Sequence, residues 1–129
     1  MKKQIIIDYI KTEFGAKEER LWASDPDCVV FRNAGNKKWF AIIMDVDRSK
    51  LEKSGEGRVN VINVKSDPLL IGSLILKKGY YPAYHMNKQH WITILLDGSV
   101  DTSEIEDLID MSYKTVDKRG KKRMGERNI

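Results

Sequence analysis

The chain has 129 residues, of which 41% are apolar and 33% charged, and a net charge of +4. That size suits one domain that buries enough surface to need no disulfide or metal as a staple. A single cysteine, Cys28, excludes an internal disulfide and a thiolate cluster, and no stretch approaches the ~20 apolar residues of a membrane span.

Met1-Lys2-Lys3-Gln4 leads into only three isoleucines before Asp8. That run is too short for a secretory signal, so a cytoplasmic location is expected. Ile6, Tyr9, Ile10 and Phe14 recur at helical spacing and predict a first helix from Lys2 to Phe14, stopped by Gly15. Cys28-Val29-Val30-Phe31 reads as a short strand with a buried, inert thiol. Asn33-Ala34-Gly35-Asn36 has turn chemistry, with Gly35 able to take positive φ. Lys38 to Met44 is a second strand paired with the first as a hairpin. Asp47 to Gly57 is polar and reads as an exposed loop.

Arg58 to Val64 is β-branched and strand-like. Asp67-Pro68 predicts a helix start, with the carboxylate capping free amides and proline at the first helical position. That helix runs to Lys77-Lys78 and stops at Gly79. Tyr80 to Met86 and Trp91 to Leu96 read as a second hairpin. A last helix starts near Asp101, with a capping-box spacing at Ser103 and Glu106 and an apolar stripe of Ile105, Leu108, Ile109 and Val116.

The order helix, three strands, helix, two strands, helix predicts a two-layer α+β fold with an antiparallel-rich sheet. Charge divides the chain. From Lys114 onward seven cations face two acids, whereas the first 113 residues carry 16 cations and 17 acids. Residues 1–117 are therefore expected to form the domain, and residues 118–129 a basic, flexible tail.

Pro82-Ala83-Tyr84-His85-Met86-Asn87-Lys88-Gln89-His90-Trp91 resembles the signature of the MmcQ/YjbR family. Gly15 to Glu18, Lys38 to Ala41, Asn63 to Pro68 and Leu108 to Tyr113 resemble further blocks of that family in the same order. The resemblance covers about residues 5 to 117. It implies a fold similar to secretion-chaperone-like proteins and a DNA-binding role as a double-wing module. The basic tail falls outside the shared pattern.

The second hairpin carries the densest polar chemistry. A two- or four-residue loop centred between Asn87 and Lys88 would set His85 opposite His90, with Cβ atoms about 5 Å apart. His85, Asn87, Lys88 and His90 could then contact a phosphate or another anion. A metal is not expected, because the chain has no third histidine and no cysteine in this segment, and no cofactor is expected either. Lys118, Arg119, Lys121, Lys122 and Arg123 form a cluster suited to a nucleic-acid backbone.

Alternation in the strands assigns Phe40, Ile42, Ile94 and Leu96 to the helix side of the sheet. Trp39, Tyr84 and Trp91 then fall on the open side, as an interaction surface suited to a protein partner or a second copy of the chain. An enzyme is not expected: Asp45 and Asp47 lack a placed partner, neither Ser103 nor Ser112 sits on a nucleophile elbow, and Gly55-Glu56-Gly57 is no phosphate loop. The sequence thus points first to non-catalytic DNA binding by the hairpin and tail. The alternative is a protein-interaction or homodimerisation domain using the open face.

Overall fold

Helix α1 (Lys2–Phe14) turns Ile6, Ile7 and Ile10 inward, a spacing that sets all three on one face of a 3.6-residue helix. Gly15 follows at φ +63°, and its N–H donates back to the Lys11 carbonyl at 3.0 Å. The computed structural model describes the backbone of residues 2–128 and the side chains of residues 2–117. Residues 16–28 are irregular and touch the sheet at one bridge, Glu19 with Val30. The two backbone hydrogen bonds there occupy the outer edge of strand β1 (Val29–Arg32), which would otherwise be free to pair with another chain.

Strands β1 and β2 (Trp39–Asp47) form the first expected hairpin. Its turn is set by Asn33, whose side-chain oxygen accepts from the Gly35 and Asn36 amides. Gly35 does not use its freedom to take positive φ; the positive φ here is at Lys37, +66°. Asp47 caps a single 3-10 turn, Arg48–Lys50, and β3 (Arg58–Lys65) follows. Helix α2 (Pro68–Leu74) starts as expected, with the Asp67 carboxylate accepting from the Leu69 amide at 2.9 Å and Pro68 at the first helical position. Strands β4 (Tyr80–Pro82) and β5 (Trp91–Leu95) and helix α3 (Thr102–Asn128) complete the chain. Because α3 begins at Thr102, Ser103 lies inside its first turn, and the Asp101 carbonyl accepts from Ile105 at 3.1 Å.

The five strands form one antiparallel sheet in the order β1-β2-β3-β5-β4. The three helices pack on one face through a core that includes Ile6, Ile10, Phe31, Phe40, Ile43, Ile62, Ile94, Ile105 and Ile109. Fully burying each such side chain is worth about 1.5–3 kcal/mol.

One register detail decides which residues face which side. Phe31 pairs with Ala41 but Arg32 pairs with Trp39, so Phe40 is an extra residue, a β-bulge. Phe40 and Ala41 consequently both face the helices, and the alternation beyond them is reversed. Ile42, assigned above to the helix side, lies with Val30, Met44 and Val61 on the opposite face. Ser112 of α3 accounts for the backbone groups here. Its hydroxyl donates to the Phe40 carbonyl at 2.6 Å and accepts from the Lys65 amide at 2.9 Å.

Candidate functional site

The face opposite the helices is apolar at its centre. Cys28, Val30, Ile42, Met44, Val46, Val59, Val61, Ala83, Trp91 and Leu95 are buried there. Two irregular segments lie over it: residues 20–28, which bring Trp22 onto Trp39, and the 83–90 loop between β4 and β5. Trp39, Tyr84 and Trp91 thus fall on the expected face. Trp91, however, is only 7% exposed, with the Lys65 ammonium 5.9 Å from its ring centre.

The hairpin expected from Tyr80 to Leu96 is much shorter. Tyr80 pairs with Ile94, Tyr81 with Thr93 and Pro82 with Ile92, and β4 ends there. Continuing that register would never set His85 against His90, so the cross-strand histidine pair is not formed. The reason lies in the backbone groups. Pro82 has no N–H to continue the ladder. The Tyr84 amide donates to the Thr93 hydroxyl at 2.9 Å rather than to a strand carbonyl. The Tyr84 carbonyl accepts from Asn63 Nδ2 at 2.9 Å, and the Thr93 hydroxyl donates to Asn63 Oδ1. Asn63 and Thr93 are cross-strand partners on β3 and β5 and are fully buried. They form a polar staple that substitutes for strand pairing.

Beyond the staple, His85 takes φ +61°, a left-handed conformation in which histidine is enriched among non-glycine residues. Its ring lies over that of Tyr84 with centroids 3.9 Å apart. Asn87 then closes the loop. Its side-chain oxygen accepts from the Gln89 amide at 2.8 Å, and its carbonyl accepts from the His90 and Trp91 amides at 3.2 and 3.0 Å. The His90 carbonyl is held by the Ser66 amide at 2.9 Å. Backbone ties at Tyr84, Asn87 and His90 thus fix a loop on which His85, Asn87, Lys88 and His90 are all exposed.

Three clefts meet at His85. The first, about 250 Å³, has Trp22, Trp39, Ile42, Met44 and Met86 around it, with Asp25 and Cys28. The second, about 400 Å³, runs past Tyr81, Pro82 and Tyr84 to Lys50 and Lys88. The third, about 340 Å³, is more polar, with Ser24, Asp25, Asp45 and Arg58. Arg58 engages Asp45 at 3.0 Å, so that carboxylate is already spoken for. Burial, helped by the charge of Asp25, pushes the Cys28 thiol up from its ordinary range, which fits an inert side chain.

Arg32 lies beside Trp39, with its guanidinium 5.9 Å from the ring centre. Its buried Nε has no well-aligned hydrogen bond, and the charge is met by the Glu19 carboxylate at 3.2 Å. Sequence reading missed Trp22 and Lys50, which reach this face from segments without periodicity. The side chains of Lys118, Arg119, Lys121, Lys122 and Arg123 lie outside the described residues. Among the described residues, no group of three or more His, Cys, Asp and Glu side chains could hold a metal ion, and no helix is long and apolar enough to cross a membrane.

Comparison with known proteins agrees with this architecture. A family model described as YjbR matches residues 13–115. The uncharacterized protein YyaQ of Bacillus subtilis is 32% identical over 113 residues, spanning 88% of this chain and 96% of YyaQ. A crystal structure of a Pseudomonas syringae protein superposes with a TM-score of 0.86 at 45% identity, covering 89% of this chain and 98% of that one. Deinococcus radiodurans protein DR2400 shares the fold at 23% identity, with a TM-score of 0.66 over 88% of this chain and 80% of its own.

Proposed function

The chain belongs to the YjbR family, and we propose that it is a non-catalytic nucleic-acid-binding module that works through the 83–90 loop and the basic stretch after it in sequence, residues 118–123. The observation that carries this reading is the loop itself: four polar side chains, His85, Asn87, Lys88 and His90, exposed together on a backbone tied at Tyr84, Asn87 and His90. A tied backbone suits a phosphate-binding loop, because only the side chains remain to be ordered on binding. Lys50 and Lys88 border one cleft, which favours an anion between them. The non-catalytic part rests on two carboxylates: Asp45, which lines the third cleft, is held by Arg58, and Asp47 is engaged in capping the 3-10 turn; Asp25, at the first and third clefts, is left as a binding group.

The alternative, a dimer joined through the open face, has less surface to work with. Residues 20–28 lie across that face and Trp91 is almost covered, leaving Trp22 and the edge of Trp39. A salt titration of DNA binding tests the proposal. Each phosphate contact contributes a slope of about −0.9 in log K against log salt on duplex DNA and about −0.7 on single strands. Lys88→Ala should reduce the slope by roughly one contact, and removing residues 118–129 should reduce it further. Slopes unchanged by both would sink the proposal.

A further inference from the structure

Trp22 is 43% exposed although it packs against Trp39, an arrangement that leaves two indoles bordering an open cleft. We infer that this cleft receives one unpaired base, so that the favoured ligand of this face is a single strand rather than a duplex. The inference rests on the nucleic-acid reading above and specifies its substrate.

Three features of the cleft support it. The Trp22 and Trp39 rings meet edge to face, with centroids 6.0 Å apart and planes at 87°, forming an aromatic corner. Ile42, Met44 and Met86 complete an apolar lining, and methionine adapts readily to a flat ring. The volume, about 250 Å³, exceeds the roughly 150 Å³ cavity that accepts benzene and so has room for a heteroaromatic ring with its substituents.

The polar groups are arranged for a nucleotide rather than for a plain hydrocarbon. Asp25 borders the aromatic cleft, where a carboxylate accepts from the N–H edge of a base. His85 borders both this cleft and the one that holds Lys50 and Lys88. A nucleotide straddling His85 would therefore have its base against the indoles and its phosphate near two ammonium groups. Bases in a duplex are stacked and paired, so entering such a cleft would first require extrusion. A single strand has no such cost.

The test is fluorescence anisotropy with the full chain at low salt. Three labelled ligands are compared: a 12-nucleotide mixed-sequence single strand, the same backbone with every base removed, and the duplex. Trp22→Ala is measured beside the wild-type protein, with circular dichroism as the check on folding. The base-bearing strand should bind roughly 5- to 150-fold more tightly than the abasic strand, the range for one stacked base. Trp22→Ala should remove that difference while leaving abasic binding unchanged. Equal affinity for base-bearing and abasic strands, or a duplex bound as tightly as the single strand, would overturn the single-base cleft and leave backbone binding standing. Cytidine 5′-monophosphate competing as well as the strand, at equal nucleotide concentration, would assign the cleft to a free nucleotide and overturn the strand. Failure of all three labelled ligands to bind would remove the nucleic-acid reading itself.

Discussion

Replacing Thr93 with Val deletes a buried hydroxyl while nearly keeping the side chain's shape. In the folded protein that hydroxyl accepts from the Tyr84 amide and donates to Asn63 Oδ1. The substitution therefore orphans two groups. A buried donor or acceptor left without a partner costs about 1–3 kcal/mol. Asn63 is fully buried and should bear that cost in full, whereas Tyr84 is half-buried and its amide can recruit water. The expected loss is about 2–4 kcal/mol, a sizeable part of the ~5–15 kcal/mol that holds a typical domain folded.

Urea unfolding followed by tryptophan fluorescence reads this directly. The midpoint should fall by about 1–2 M, taking a slope of about 2 kcal/mol per molar. Asn63→Ala alone should cost a similar amount, and the double variant less than the sum, because both changes break the same network. A Thr93→Val midpoint within about 0.25 M of wild type, about 0.5 kcal/mol at that slope, would show that the staple does not hold the loop.

Three further outcomes rest on other parts of the fold. Ser112→Ala strips a partner from both the Phe40 carbonyl and the Lys65 amide at a fully buried position, so a loss of about 2–4 kcal/mol in urea unfolding is expected. Gly79 and Gly98 both have positive φ, at +92° and +97°. A Cβ at Gly79 would sit 2.5 Å from Val100 Cγ2, whereas one at Gly98 would meet nothing within 4 Å. Gly98→Ala should cost about 1–2 kcal/mol from backbone strain alone and Gly79→Ala clearly more, in paired melts that equal losses would contradict. Finally, the Lys77 ammonium and the Tyr80 hydroxyl hold the Glu104 carboxyl below its ordinary range. Its stabilising effect is complete above the unfolded-state pKa and is lost as pH falls through the depressed folded value. Glu104→Gln should therefore lose less stability than wild type between pH 7 and pH 3, measured as the shift in urea midpoint.

Much of the fold was legible because it rests on local signals. The α1 periodicity, the Asp67-Pro68 start of α2 and the β-branched run of β3 each specify an element without help from distant residues. The bulge at Phe40 was not legible, because the partner that accounts for its carbonyl is Ser112, 72 positions away on another element. Without it, strict alternation assigns Ile42 to the wrong face. The end of β4 was only partly legible. Pro82 is a local strand-limiting residue, but what diverts Tyr84 to Met86 is a buried Asn63–Thr93 pair on two other strands. A faint signal existed: an asparagine and a threonine set within two β-branched apolar runs, where burial of a polar group requires a purpose. The polar loop residues were visible from composition, but their spatial relation to Trp22 and Lys50 was not, since both reach the site from irregular segments.

The central claim is that ligands are met on the open sheet face at the 83–90 loop. Mapping amide and indole N–H shifts in a ¹⁵N-labelled sample titrated with a short oligonucleotide tests it most directly. Perturbations should concentrate at residues 83–90, at Lys50 and at the indole groups of Trp22 and Trp39. Shifts confined to the outer surfaces of α1 and α2, with the loop silent, would contradict it.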